Sequence, residues 1–208
     1  MVKIHKFQGD ITKDVANTLR ESIAIDTEAT GLQIPERDKL SLIQICDQNG
    51  NVYIIQPDRK TYKAPNLVKV LEDASILKIG HFLRFDKSAL EYFLKCKVKN
   101  IFDTKIASRI VRTYTDAHGL KNLVQEFCNK SLDKRHGSSD WNKDINELSD
   151  KQLEYAANDV IYLHKIKTEL EKMLLREKRT DVFEKCLAFL DTRVELDQKG
   201  FKEDIFEH

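Results

Sequence analysis

The sequence predicts a single α/β domain, built on a mixed β-sheet with helices packed around it. Strand-like apolar segments follow one another closely in the first third of the chain, and strands alternate with helices after Pro65. The 208 residues, 41% of them hydrophobic, suffice for one substantial core. Closely spaced strands favour antiparallel hairpins, whereas strands separated by helices favour parallel pairing. We therefore expect an antiparallel part of the sheet followed by parallel additions.

The first third of the chain is interpreted as an antiparallel meander of three strands. Residues 11–21 have weak helical character and lead into an apolar strand at residues 22–28. Residues 40–46 and 51–55 have strong strand patterns, and the turn sequence Asp-Gln-Asn-Gly at 47–50 joins them. The second and third strands are thus predicted to form a hairpin that continues the first.

The rest of the chain alternates between strand and helix patterns, and Ser149 has the character of a helix cap. A polar segment at residues 129–147 is predicted to be a loop over the functional site, with Trp141 either in the core, which is the favoured interpretation, or steadying that loop. The predicted elements after Pro65 are a helix around 67–71, a buried strand at 76–79, a helix at 85–94, a short strand at 101–103, and helices at 104–111, 119–127, 149–175 and 181–199.

Two acidic residues stand at the end of the first predicted strand. Because strand side chains alternate, Asp26 and Glu28 share one face while Ile25 points to the other. Two neighbouring carboxylates in a partly buried place are costly unless a cation lies between them, and a divalent metal meets that need. The alternative is that these two acids only mark the point where the strand enters a solvent-exposed loop. A calcium loop starting at Asp26 is excluded because its twelfth position, which requires Glu, is Arg37.

Three further segments place acids in suggestive settings. Asp86 follows a buried strand and opens a helix, where it is either a functional acid or a helix-terminal charge favoured by the helix dipole. Asp103 is interpreted as the ordinary cap of the next helix. Tyr155 and Asp159 lie four residues apart and share one helical face. Taken alone, Asp159 is better explained by an ion pair with Lys or Arg than by a metal.

Taken together, these segments resemble the ribonuclease D family of DEDD 3′-to-5′ exonucleases, in the subgroup marked by a tyrosine. The three family motifs match residues 26–32, 81–86 and 155–159, in the same order and spacing. Further matches lie at residues 40–45 and 139–141, and the resemblance covers about residues 5–175. It implies a ribonuclease H-like exonuclease fold and hydrolysis of phosphodiester bonds from 3′ ends, with release of nucleoside 5′-monophosphates.

The resemblance also implies the metal site and the catalytic residues. Asp26 is expected to bridge two divalent ions, Mg²⁺ or Mn²⁺. Glu28 and Asp159 complete the first ion's site, and Asp86 holds the second, partly through water. Tyr155 is expected to orient the attacking water rather than to act as a strong base. Carboxylates without His or Cys suit these hard cations, and paired divalent ions are well matched to phosphodiester hydrolysis.

Four residues are expected to bind substrate by the same resemblance. Thr30, Gly31 and Leu32 meet the terminal nucleotide, with the Gly31 backbone approaching closely and Leu32 packing on the base. His81 contacts the phosphate region, or is a structural histidine satisfied inside the fold. The chain departs from many relatives at Phe82, where they carry Asn, so the contact made by that Asn is not expected here.

Composition restricts the cellular setting and the chemistry only weakly. The formal net charge is +1, so no global field indicates nucleic acid, and a polyanion would need a local basic patch. Neither a signal-peptide pattern nor a long apolar run is visible, which predicts a cytoplasmic protein without a membrane partner. Four dispersed cysteines without a Cys-x-x-Cys pair are expected to be reduced core residues: Cys46, Cys96, Cys128 and Cys186.

The predicted organisation is a catalytic domain at residues 1–175 and a helical extension at residues 176–208. The extension packs on the domain or forms an oligomer interface, and the sequence does not decide between them. The expected partner is the single-stranded 3′ end of RNA, with tRNA or other stable-RNA processing as the role that the resemblance suggests. Alternatives are the same activity on single-stranded DNA, or a binding module that has lost turnover.

Overall fold

The computed structural model describes residues 3–31, 33, 37–132, 140–201, 203 and 205. Over these residues a mixed sheet lies between two layers of helices, which confirms the predicted fold class. The strands are β1 (Lys3–Gln8), β2 (Ser22–Ala29), β3 (Leu40–Cys46), β4 (Asn51–Gln56), β5 (Leu77–Gly80) and β6 (Ile101–Asp103). The helices are α1 (Lys13–Thr18), α2 (Pro65–Glu72), α3 (Leu83–Leu94), α4 (Thr104–Val111), α5 (Leu120–Cys128), α6 (Asp150–Ile161), α7 (Leu163–Arg176) and α8 (Thr180–Gln198).

The described strands form one sheet in the order β1-β4-β3-β2-β5-β6. The pairs β2–β3 and β3–β4 are antiparallel, which confirms the predicted meander, and β5 and β6 add in parallel on the other side of β2. Strand β1 was not predicted, and it pairs in parallel with β4 at the sheet edge. Its Lys3, His5 and Lys6 suit a partly exposed edge strand but obscure the apolar alternation by which strands are recognised.

The two faces of the sheet are covered by separate apolar clusters. Ala24 belongs to the cluster under α6 and α7, while Ile23 and Ile25 belong to the cluster under α2 and α3. This confirms the predicted alternation along β2. Every residue of β3 is buried, because that strand lies inside the sheet and is covered on both faces.

The long helix predicted from Ser149 to about residue 175 is two helices in the structure. Its start is confirmed, since the Ser149 hydroxyl accepts from the Gln152 N–H and the Gln152 side chain accepts in return. The chain breaks at Tyr162, after which α7 begins at Leu163. Neither Gly nor Pro marks this break, so the apolar periodicity of the sequence continues through it.

The C-terminal helix α8 packs against α3. Arg84 Nε lies 2.6 Å from Asp197 Oδ2, Lys87 Nζ lies 2.9 Å from Asp191 Oδ1, and Phe183 joins the core beside Phe102. The four cysteines are free, as expected: Cys46 and Cys96 are buried, and Cys128 and Cys186 are half-buried. In the part of the chain that the structure describes, no helix is both long enough and apolar enough to cross a bilayer.

Candidate active site

Three carboxylates from two elements meet at the end of β2. Asp26 and Glu28 project from the strand toward α6, which packs on β2, β3 and β4 and supplies Asp159. One carboxylate oxygen from each of the three residues lies within 4.8 Å of the others. The β2–β3 register shifts between Glu28 and Ala29, and such bulges commonly re-aim side chains beside active sites. The two elements identified by sequence therefore do converge.

The electrostatics of this cluster favour a cation. Burial, followed by repulsion from Asp86, Asp159 and Glu28, raises the pKa of Asp26 well above its usual range. Burial, with repulsion from Asp159 and Asp86, raises the pKa of Glu28 to about 9. Each raised pKa means that ionising the carboxylate costs free energy at this site. A nearby positive charge would offset that cost. Closely spaced carboxylate oxygens without His or Cys fit a hard divalent cation such as Mg²⁺.

Asp86 lies beside this cluster, in the first turn of α3. It is 5% exposed, and its Oδ1 accepts a hydrogen bond from the Thr27 hydroxyl at 2.5 Å. Burial raises the pKa of Asp86 to about 7, although the Thr27 bond acts in the opposite direction. Because Asp86 contributes to the raised pKa values of Asp26 and Glu28, it belongs to the same electrostatic unit. Its carboxylate is not within the 4.8 Å group.

Tyr155 lies one helical turn before Asp159 and shares a hydrogen bond with it. Burial, together with the charges of Asp159, Glu28 and Asp26, raises the pKa of the Tyr155 phenol. The hydroxyl therefore keeps its proton at neutral pH and is a hydrogen-bond donor, not a base. Trp141 is 4% exposed, as its predicted core position requires, and its ring lies 6.2 Å from that of Tyr155.

His81 is anchored to the start of α4. Its Nδ1 lies 2.9 Å from the Thr104 Oγ1, and this oxygen lies 2.9 Å from the Gly80 carbonyl. A carbonyl only accepts, so the Thr104 proton goes to Gly80 and the His81 Nδ1–H donates to Thr104. One ring nitrogen of His81 thus serves the fold, and this bond sets the ring's orientation.

Phe82, next to His81, adopts a left-handed backbone conformation with φ of 69°. That conformation is rare for a bulky residue, whereas Asn adopts it more readily. The Asp103 carboxylate holds the strained turn by accepting from the Phe82 and Leu83 N–H groups, and it also caps α4 as predicted. The Phe82 ring is 45% exposed, with Lys105 Nζ 4.0 Å from its centroid.

The predicted substrate-binding segment after β2 is engaged within the chain itself. The Thr30 Oγ1 accepts from the Lys39 N–H at 2.9 Å. A Cβ at Gly31 would clash with Asp38 Oδ2, so a larger residue there would displace the Asp38 carboxylate. That carboxylate is bonded to the Gln33 N–H and to Arg37. Leu32 lies outside the described residues.

Two residues that sequence reasoning missed lie at this site. Thr27 bonds to Asp86, and Gln44 stands directly opposite Asp26 in the β2–β3 register. Thr27 separates the two acids of β2 and could have been singled out by that position. Gln44 is a polar residue in an apolar strand, but its partner depends on a strand register that the sequence does not display.

Residues 2–175 match the 3′-to-5′ exonuclease family. The chain belongs to that family. Its ribonuclease D character is confirmed by relatives such as ribonuclease D of Gluconacetobacter diazotrophicus, which is 32% identical over 185 residues, 87% of this chain and 45% of the relative. This exonuclease-family chain spans less than half the length of the curated relatives it matches.

Solved structures cover the whole exonuclease-family chain. Brucella melitensis NrnC bound to pGG is 45% identical with a TM-score of 0.92, and each chain is covered fully. The same protein with bound Mg²⁺ is 45% identical with a TM-score of 0.91, over 99% of each chain. Escherichia coli RNase D is 24% identical with a TM-score of 0.76, over 88% of this chain and 48% of that one. The predicted ribonuclease H-like exonuclease fold is confirmed.

Proposed function

We propose that this protein is a divalent-metal-dependent exonuclease that hydrolyses RNA from the 3′ end and releases nucleoside 5′-monophosphates. The convergence of Asp26, Glu28 and Asp159 carries the proposal, because three half-buried carboxylates that repel one another need a cation. Membership of the exonuclease family and the Mg²⁺-bound neighbour support it.

In this proposal Asp26, Glu28 and Asp159 hold one cation, and Asp86 together with Asp26 holds a second. Bound divalent ions lower the pKa of water and stabilise the charge on the leaving oxygen. Tyr155 donates its phenolic proton to Asp159, which keeps the ring in place, and its hydroxyl oxygen is left to accept a hydrogen bond from the attacking water and so orient it. Thr27 holds Asp86 in the charged form by donating to it.

Substrate contacts are proposed on both sides of the acids. The Phe82 ring, exposed beside His81 with Lys105 over it, offers a stacking surface for a base and a cation for a phosphate. Thr30, Gly31 and Leu32 are proposed to meet the terminal nucleotide. Residues 1–175 are proposed as the catalytic domain, and residues 176–208 as an extension packed on it.

The proposed substrate is single-stranded RNA of any length down to a dinucleotide. NrnC bound to pGG supports the short limit, because its sequence and fold match this chain from end to end. At the long end of this size range we propose the 3′ ends of tRNA or other stable RNA, which the resemblance to ribonuclease D implies. The 2′-hydroxyl must be tested directly, since carboxylates and cations recognise the phosphodiester and not the sugar.

The experiment uses 5′-labelled RNA and DNA 20-mers, a tRNA with a 3′ trailer, and pGG, each with Mg²⁺, Mn²⁺ or EDTA. We expect a descending ladder on RNA, conversion of pGG to mononucleotides, and no product with EDTA. Asp26→Asn should abolish all products while the protein remains folded. Hydrolysis of DNA at the same rate as RNA would contradict the RNA assignment, and activity in EDTA would contradict the metal.

A further inference from the structure

Gln44 lies in the middle of β3 and is fully buried. Neither its amide nitrogen nor its amide oxygen has a hydrogen-bond partner among the described residues. Buried amides are normally satisfied, because removing them from water without a new partner is unfavourable. An orphaned amide in a strand whose neighbours are apolar therefore requires an explanation.

The sheet register places this amide under the carboxylate cluster. Gln44 pairs directly with Asp26, and its neighbours on the same face, Leu42 and Cys46, pair with Glu28 and Ala24. Residues directly opposite in an antiparallel pair point to the same face, with Cβ atoms about 4.5–5.5 Å apart. Gln44 thus lies on the face that α6 covers, next to the acid at the centre of the site.

The chemistry of the two side chains is complementary. A glutamine amide provides two N–H donors, and a carboxylate has more lone pairs than one cation occupies. Carboxylates that bind metals are commonly held by a hydrogen bond from a neighbouring group, which selects the oxygen that faces the ion. A donor beside Asp26 would leave Glu28 and Asp159 to face the cation from the other side.

We propose that Gln44 is a positioning residue for metal binding: its amide donates to the Asp26 carboxylate when a divalent cation is bound, and so orients the ligating oxygen. The inference rests on the proposed metal-dependent function. It accounts for the orphaned amide, because the donor is needed in the metal-bound protein and has no duty in the fold.

The test replaces Gln44 with leucine, which has a similar size and no polar atoms. Isothermal titration calorimetry measures the dissociation constants for Mg²⁺ and Mn²⁺, and thermal melting in EDTA measures stability without metal. We expect Gln44→Leu to weaken metal binding by about 10-fold to 100-fold. We also expect it to melt in EDTA at the wild-type temperature or higher, because an unpaired buried amide has been removed.

Ser41→Ala is the matched control. Ser41 is on the same strand, is fully buried, and has a hydroxyl without a partner among the described residues, but it is three positions from Gln44 and is not paired with Asp26 in the β2–β3 register. Its metal affinity should stay within twofold of wild type. Gln44→Met repeats the test with a flexible side chain that fills the same volume.

Several outcomes would overturn the inference. Metal affinity within twofold of wild type in both Gln44 variants would show that the amide does not act on Asp26. A Gln44 variant that melts well below wild type in EDTA, or does not fold, would show that the amide stabilises the metal-free fold. Failure of the proposed function looks different, because the wild-type protein would then bind no divalent cation and hydrolyse no RNA.

Discussion

Metal removal should make the stability of the protein fall as pH rises. Burial and neighbouring acids raise the pKa of Glu28 from 4.5 to about 9 in the folded protein. Between those values the folded state keeps a proton that the unfolded state has lost. The contribution of protonated Glu28 to the free energy of unfolding is therefore complete below pH 4.5. It declines as pH rises toward 9, by about 1.4 kcal/mol per pH unit for each retained proton.

The window from pH 6.5 to 8 lies outside most other titrations, and the raised pKa values of Asp26 and Asp86 add to the same fall in stability. It lies above the ordinary histidine pKa of 6.5, so His118 and His164, whose pKa values burial lowers, have largely finished titrating. It ends at the pKa of about 8 that burial gives to Lys78. Over the window one retained proton costs about 2 kcal/mol of stability. For a chain of this length that corresponds to roughly 4–8 °C in melting temperature.

The assay is differential scanning calorimetry at pH 6.5 and 8, in EDTA and in saturating Mg²⁺. We expect the melting temperature in EDTA to fall across the window, and Mg²⁺ to stabilise more at pH 8, because cation binding requires deprotonated ligands. Glu28→Gln removes one of the titrating groups and should make the EDTA slope shallower, while Asp26 and Asp86 keep their contributions. Glu184→Gln, at an exposed position on α8, should keep the wild-type slope. Equal EDTA slopes in wild type and Glu28→Gln would refute the reasoning.

Three further substitutions test individual contacts. Tyr155→Phe should leave Mg²⁺ affinity within about threefold and lower kcat by about 10²-fold to 10⁴-fold, measured by calorimetry and single-turnover RNA hydrolysis; an unchanged kcat would contradict the water-orienting role. Thr27→Val should lower the free energy of unfolding by about 1–3 kcal/mol, because Asp86 loses its hydrogen-bond donor. It should also shift the acidic limb of the pH profile of kcat to higher pH, because that donor lowers the pKa of Asp86. An acidic limb at the wild-type pH would argue against Asp86 as a metal ligand. Phe82→Asn should stabilise the protein by up to about 1 kcal/mol, because Asn adopts the left-handed backbone conformation with less strain. It should also raise KM for RNA, because the exposed ring is removed. An unchanged KM would exclude base stacking on Phe82.

The parts of the fold predicted correctly are those determined by local periodicity. The alternation Ile23-Ala24-Ile25 assigned the faces of β2, and the turn before Asn51 produced the β3–β4 hairpin. Strand β1 was not predicted because its charged residues suit an exposed edge. The break at Tyr162 was not predicted because it does not interrupt the apolar periodicity. Pairing partners and breaks of this kind are decided by packing, which one sequence does not display.

The site was predicted to a similar extent, and for a related reason. Strand and helix periods placed Asp26 beside Glu28 and Tyr155 beside Asp159, and the resemblance to ribonuclease D joined the two pairs into one predicted site; in the structure the three carboxylates lie together with Tyr155 beside them. What could not be predicted are contacts between distant elements, such as the opposition of Gln44 to Asp26. Such contacts depend on register, which periodicity alone does not determine.

Unfavourable features of this fold concentrate around the acids. Carboxylates that repel one another, a bulge after Glu28, a left-handed Phe82 and an unpaired amide at Gln44 are all placed by β2, β3 or the start of α3. Each lowers the stability of the metal-free protein, and the buried strands and helices around them supply the stability that tolerates it. A single ligand class, the proposed divalent cation with a phosphodiester, would relieve the repulsion and give the amide a role. The concentration of these features at one strand end is therefore better explained by function than by folding.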